Sequence, residues 1–199
     1  MIREFDTLPT SRLKTGSTCM RPVQILPKNV KLSDPALSVM TDLSKVSVVV
    51  VRPHASMDIA NSKMIRYGVR MLLVLDSNDN VAGLLTASDV LGEKPMRFLQ
   101  NMGGTHADIM VRDLMTPQRE LEVMNIEDVK NAEVGQIVAT LKKSGRQHGL
   151  VVAESEDGKQ AVCGILSITQ IARQLGTPVQ SYELAQTLAD IEAVVSRGK

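Results

Sequence analysis

The order of signals in residues 34–94 recurs in residues 109–178, and a chain that repeats itself in this way is constrained to fold as two similar units that bury their faces against each other. Each unit opens on a Met-Thr pair, Met40-Thr41 and, 75 residues later, Met115-Thr116. A strand-like stretch follows. Residues 46–52, VSVVVVR, are nearly all β-branched, which predicts a strand buried on both faces and ended by Pro53. The counterpart, residues 120–125, carries two Glu and predicts an edge or shorter strand.

A helix is then predicted over residues 57–67, with Met57, Ala60, Met64 and Ile65 on one face, Ser56 as N-cap and Gly68 as C-cap. Its counterpart spans residues 132–143, with Val134, Ile137, Val138 and Leu141 at helical spacing and Gly145 as the stop, 77 residues after Gly68. Each glycine leads into a second buried strand, residues 71–75 and 150–153. The turns SNDN (77–80) and SEDGKQ (155–160) return the chain into a third strand, residues 81–85 and 161–166. Those strands end in Gly-Leu-Leu-Thr and Gly-Ile-Leu-Ser, with Gly83 and Gly164 81 residues apart, and pass directly into short helices at 87–91 and 168–175. The drift in offset falls in loops, where insertions cost little.

The fold class is therefore α/β, two βαββα repeats packed as a pseudo-two-fold pair. Around them lie a Pro- and Gly-containing N-terminal arm (1–33), a looped linker (95–108) and a C-terminal amphipathic helix (179–199) with Leu184, Leu188, Ile191 and Val195 on one stripe.

Composition removes several function classes. Lys and Arg total 23 against 22 Asp and Glu, a net charge of +1, so no global field attracts nucleic acid or an anionic membrane. Cys19 and Cys163 are the two cysteines, far apart and outside any Cys/His cluster, which argues against structural zinc and disulfides and for the reducing cytoplasm. The charged N-terminus and strand-sized apolar runs predict no export signal and no membrane span. His54 and His106 have no paired nucleophile or metal-binding neighbour, and Gly103-Gly104-Thr105 lacks the rest of a phosphate loop. No catalytic residue and no metal ligand is assigned.

With its Met-Thr lead-ins, GVRMLLVLD (68–76) and GLLTASDV (83–90), the chain resembles the CBS domain family, whose members usually occur as tandem pairs called Bateman modules. The second of these segments is similar to the family's Gly-h-x-Thr/Ser-x-x-Asp signature, where h is hydrophobic. The resemblance covers roughly residues 34–178. It implies a stand-alone, non-enzymatic regulatory module with a cleft between two sheets and two potential sites for AMP, ATP or a related adenosyl ligand. It also implies a homodimer joined through helices and a separate regulated protein as partner. The terminal stripe would serve either that dimer or a fold-back onto its own repeats.

The residues themselves suit such a ligand. A helix N-terminus presents unpaired N–H groups to phosphate. Thr86 and Ser88 add hydroxyls, and Asp89 has acceptors for both hydroxyls of a ribose. Arg70 and Met71 open the preceding strand, where Arg70 would pair with phosphate while Met71 and Leu84 cover a purine face. Arg146 would reach phosphate across the pseudo-two-fold, and His148 opens the middle strand of the second half, where the resemblance implies a ligand-facing side chain. A second site would use Ser167, Thr169 and Gln170, with Gln170 replacing the carboxylate by an amide that has one carbonyl acceptor. Thr86-x-x-Asp89 and Ser167-x-x-Gln170 are equally readable as capping boxes. Two further function classes therefore stand beside the sensor: an interaction scaffold with degenerate sites, which Gln170 favours, and a nucleotide-directed enzyme, for which no nucleophile or acid and base pair is found.

Overall fold

The computed structural model describes residues 6–19, 22–177, 188–189 and 191–193. A 3-10 turn at Ala36–Val39 leads into β1 (Met40–Asp42), then β2 (Val50–Val51), α1 (Met57–Tyr67), β3 (Met71–Leu75), β4 (Val81–Thr86), α2 (Ala87–Leu91) and α3 (Lys94–Met102). The second half continues with α4 (Val111–Leu114), β5 (Thr116–Pro117), β6 (Val123–Asn125), α5 (Ile126–Lys130), α6 (Val134–Ser144), β7 (His148–Glu154), β8 (Gln160–Ser167) and α7 (Ile168–Gln174). The α1 boundaries match the sequence reading, with the Ser56 hydroxyl accepting from the Ile59 N–H at 3.3 Å and Gly68 left-handed at φ 64°. Gly145 closes α6 with the same φ.

Two four-stranded sheets form, in the orders β2-β3-β4-β5 and β1-β8-β7-β6. Each sheet takes its last strand from the other half of the sequence. β1 pairs antiparallel with β8 (Met40 with Leu166), and β5 pairs antiparallel with β4 (Thr116 with Leu84). This exchange explains two motifs at once. The Met40 thioether lies where a Cβ on Gly164 would be, 2.4 Å from its built position, and Met115 and the Thr116 carbonyl do the same at Gly83. The Met of each lead-in and the Gly of each third strand are thus two halves of one contact.

The sheets face each other across Met71, Leu73, Leu84 and Leu150. Burying a leucine of this kind contributes roughly 1.5–3 kcal/mol. Helices cover the outer faces, on Leu72, Val74 and Leu85 in the first sheet and on Val151 and Leu166 in the second. The second core also recruits the ends of the chain. Val30 is buried there, Leu188 and Ile191 pack into it, and Lys142 pairs with Glu192. The described part of the terminal stripe therefore folds back onto its own second half; Leu184 and Val195 lie outside the described residues.

Four expectations need correction. The 46–52 strand reduces to Val50–Val51 at a sheet edge, with Val46, Val48 and Val49 only half-buried, because they face the cleft rather than a neighbouring strand. The linker is not merely looped, since Lys94–Met102 is helical with Pro95 in its first turn, where its missing N–H costs nothing. Ile65 is 73% exposed, so the buried face of α1 is Met57, Ala60 and Met64 alone. The arm is exposed over residues 6–19 and turns at Lys14–Ser17, but Gln24 donates to the Met40 carbonyl at 2.9 Å and accepts from the Asp42 N–H at 2.8 Å, fastening β1.

Candidate functional site

Strand register sets the cleft. Met71 lies opposite Thr86 and Leu73 opposite Leu84 across β3 and β4, while His148 lies opposite Ser167 and Leu150 opposite Ile165 across β7 and β8. Directly paired residues share a face, so all eight address the space between the sheets. Two of the pockets in that space lie at the starts of α2 and α7, each drawing one wall from each half.

The first pocket, about 360 Å³, is bounded by Val46, Val48, Val49, Arg70 and Met71 from the first half, and by Ile165, Ser167, Thr169, Gln170 and Arg173 from the second. The other, about 400 Å³, is bounded by Leu84, Thr86, Ser88 and Asp89 from the first half and by Thr116, Gly145, Arg146, Gln147 and His148 from the second. They are related as the repeats are. Ser167 stands for Thr86, Gln170 for Asp89, Met71 for His148 and Thr41 for Thr116.

This arrangement regroups the candidate residues. Arg70 and Met71 do not join Thr86, Ser88 and Asp89 in one site; they line the pocket of Ser167, Thr169 and Gln170. The reason is the face-to-face packing of the sheets, which sets the start of each middle strand against the helix start of the opposite half. Leu84, Arg146 and His148 do line the pocket of Thr86, Ser88 and Asp89.

The two helix starts differ in how their polar groups are used. Asp89 is buried, and its Oδ2 accepts from the Thr86 N–H and from the Thr86 hydroxyl, both at 2.7 Å. Its Oδ1 pairs with Lys94 Nζ at 2.5 Å. The first motif is thus a capping box closed by a lysine. Ser167 makes no such cap, and Gln170 turns its Nε2 toward the Val39 carbonyl at 3.4 Å. The amides expected to receive phosphate are partly engaged, since Ala87 N–H donates to the Arg70 carbonyl (2.8 Å) and Ile168 N–H to the Gln147 carbonyl (3.0 Å). Positive charge at the pockets therefore rests on side chains: Arg70 and Arg173 in one, and in the other Arg146, which donates to the Glu120 carbonyl at 2.7 Å.

His148 borders both pockets, and its Nδ1 is buried with no hydrogen-bond partner. Burial holds its pKa down to about 4; the Arg70 charge adds to this, and the Asp89 charge opposes it. The imidazole is neutral at pH 7.

Lys94, Arg173 and the valine wall were absent from the sequence reading. Lys94 is the last residue of the first repeat, outside any motif. Arg173 was legible in principle, one helical turn beyond Thr169 and Gln170. Val46, Val48 and Val49 were read as strand interior, and only the edge position turns them toward a ligand.

Residues 37–95, which include β1, β3, β4, α2 and the capping box, match the CBS domain family. This segment is a CBS domain. The second half repeats its element order, with β6, α6, β7, β8 and α7 standing for β2, α1, β3, β4 and α2. Among solved structures, an uncharacterized conserved protein from Pyrococcus horikoshii is similar at 23% identity and a TM-score of 0.53, over 76% of this chain and 99% of that one. A conserved CBS-domain protein of Thermoplasma acidophilum aligns at 19% identity and a TM-score of 0.50, over 79% and 77%. The CBS domain of a bacterial CNNM/CorC family Mg2+ transporter aligns at 15% identity and a TM-score of 0.51, over 75% and 81%. No curated protein matches the chain. Among the described residues, no helix of this CBS pair is long and apolar enough to cross a membrane.

Proposed function

We propose that this protein is a regulatory module, not an enzyme, that binds an adenine nucleotide or related adenosyl ligand between its CBS halves and passes the event to a partner protein in the cytoplasm. The observation that carries this reading is the valine-walled pocket. Its aliphatic walls suit a purine, its hydroxyls and amide suit a ribose, and two arginines stand where phosphate oxygens would be met. At about 360 Å³ it falls within the range usual for small-ligand pockets, about 300–1,000 Å³. AMP or ATP is the first choice, since each brings a purine, a ribose and phosphate to these three features.

A ligand in either pocket touches both halves, so it favours one placement of the halves over others. That differential contact is the signal available to a partner. The Asp89 pocket is the lesser site in this scheme, because a ribose there must compete with Lys94 for the carboxylate.

The test is a thermal-shift and calorimetric panel of AMP, ADP, ATP and S-adenosylmethionine, with GMP as the control. A ligand at 100 times its dissociation constant adds about 2.7 kcal/mol to stability. Saturable binding of an adenosyl ligand, weakened roughly tenfold in Arg70→Ala, is the expected result. Failure of every member to bind favours the second reading, an interaction scaffold with degenerate sites, for which the internally satisfied Asp89 and the amide at Gln170 are the specific support.

A further inference from the structure

The cleft holds a third cavity, of about 500 Å³, beyond the two at the helix starts. Met71 and Leu73 follow one another on the cleft face of β3, as His148 and Leu150 do on β7, so Leu73 and Leu150 lie one step nearer the hairpin turns. These two form its floor. The lining residues pair off between the halves, Val48 with Val123, Leu73 with Leu150 and Val81 with Val162, at the offsets of 75, 77 and 81 that mark their segments of the repeat. Exchange of the halves therefore maps this cavity onto itself, whereas it maps the other two onto each other. It is a single site on the pseudo-two-fold axis.

Its chemistry also differs from theirs. Among the described residues that line it there is no Lys, Arg or His, and its one carboxylate, Asp79, is paired with Arg52 at 2.8 Å. A phosphate or carboxylate entering it meets no cation, and an ammonium meets only an acid already taken. A charge left unpaired against Leu73 and Leu150, which are 3% and 2% exposed, is strongly disfavoured. What the cavity offers is aliphatic wall, half-buried Val48, Val81, Leu121 and Val162, and at its mouth the exposed amides of Asn80, Gln118 and Gln160. We infer that it is a binding site for an uncharged, largely aliphatic small molecule whose hydroxyl or carbonyl group meets those amides. Its volume lies within the range of about 300–1,000 Å³ usual for such ligands. The inference does not rest on what the other two pockets bind.

Titration of the full-length chain, labelled at the Val and Leu methyls and followed by NMR at pH 7, tests it with three probes of equal chain length: octanol, octanoate and octylamine. Octanol is expected to bind saturably and to shift the methyls of Val81, Leu121 and Val162, while those of Val46 and Val49, on the wall of the neighbouring pocket, stay in place. The two charged probes bind roughly tenfold more weakly or worse, because neither finds a free partner. Val123→Trp, at an exposed position of the edge strand β6, fills the mouth and removes the octanol response. The shift map of the wild-type chain tests the site independently of that variant. No saturable octanol response, shifts centred on Val46 and Val49, equal binding of the charged probes, or an undiminished response in a folded Val123→Trp chain overturns the proposal.

Discussion

The two pockets are built from the same parts in the same order, yet one carries a complete polar motif that is occupied by its own neighbours, and the other a substituted motif that is less so. In the first, Thr86 and Asp89 cap α2 and Lys94 takes the remaining carboxylate oxygen. In the second, Ser167 caps nothing and Gln170 reaches back to the Val39 carbonyl. A motif therefore states what a site offers only after its internal hydrogen bonds are subtracted. By that measure the pocket with the poorer motif has more to offer a ligand, because it also has the valine wall.

The largest predicted break between the halves concerns what holds them together. A methyl at Gly83 meets the Thr116 carbonyl at 2.5 Å, a backbone atom, whereas one at Gly164 meets the flexible Met40 thioether. Chemical denaturation of Gly83→Ala is expected to show a loss of about 3 kcal/mol or more, against about 1 kcal/mol for Gly164→Ala. Equal losses would mean that the two exchanged strands are held alike.

Next is the residue the pockets share. His148 titrates at about 4 in the fold against 6.5 as its ordinary value, so the unfolded chain takes up the proton first. Its contribution to stability is complete above pH 6.5 and is lost as the pH falls from 6.5 to 4, a difference of about 3 kcal/mol. His148→Met, which copies Met71 of the other half, removes that part of the acid sensitivity in stability measured from pH 7 to pH 4. An unchanged pH profile in the variant would show that the imidazole is not held neutral by its surroundings.

The unequal pockets themselves are sharpened by two opposed substitutions read by calorimetry with AMP. Arg70→Ala weakens binding at the valine-walled pocket roughly tenfold, the loss of a charge-assisted contact. Lys94→Met frees Asp89 and is expected to bring the second pocket into use, raising the stoichiometry from one toward two. The smallest effect is local. Asp89→Ala forfeits a helix cap and lowers stability by about 1 kcal/mol, while Gln170→Ala, with no cap to lose, costs a few tenths.

Much of the fold was legible because its signals are local. Gly68 and Gly145 mark helix ends by a left-handed φ that glycine adopts readily, and the buried strands announce themselves by composition. The exchange of β1 and β5 was not legible, since Met40-Thr41 looks the same whichever sheet it joins. For the cleft, residue types were readable and their grouping was not. Arg70 stands near Thr86 in sequence and in its sheet, but only the packing of one sheet on the other decides that it faces Ser167. Lys94 went unseen for a related reason, because a side chain that returns from the next helix leaves no periodic trace.

The exchanged strand has a consequence for how the molecule is made. Met40 is synthesised 126 residues before its partner Leu166. Until then the first lead-in has nothing to pair with and must wait, tethered, while its own repeat folds around the place that β5 will take. The last sheet to be completed is the one that receives the first strand. A nick in the linker after synthesis would leave two fragments, each still threaded into the sheet of the other.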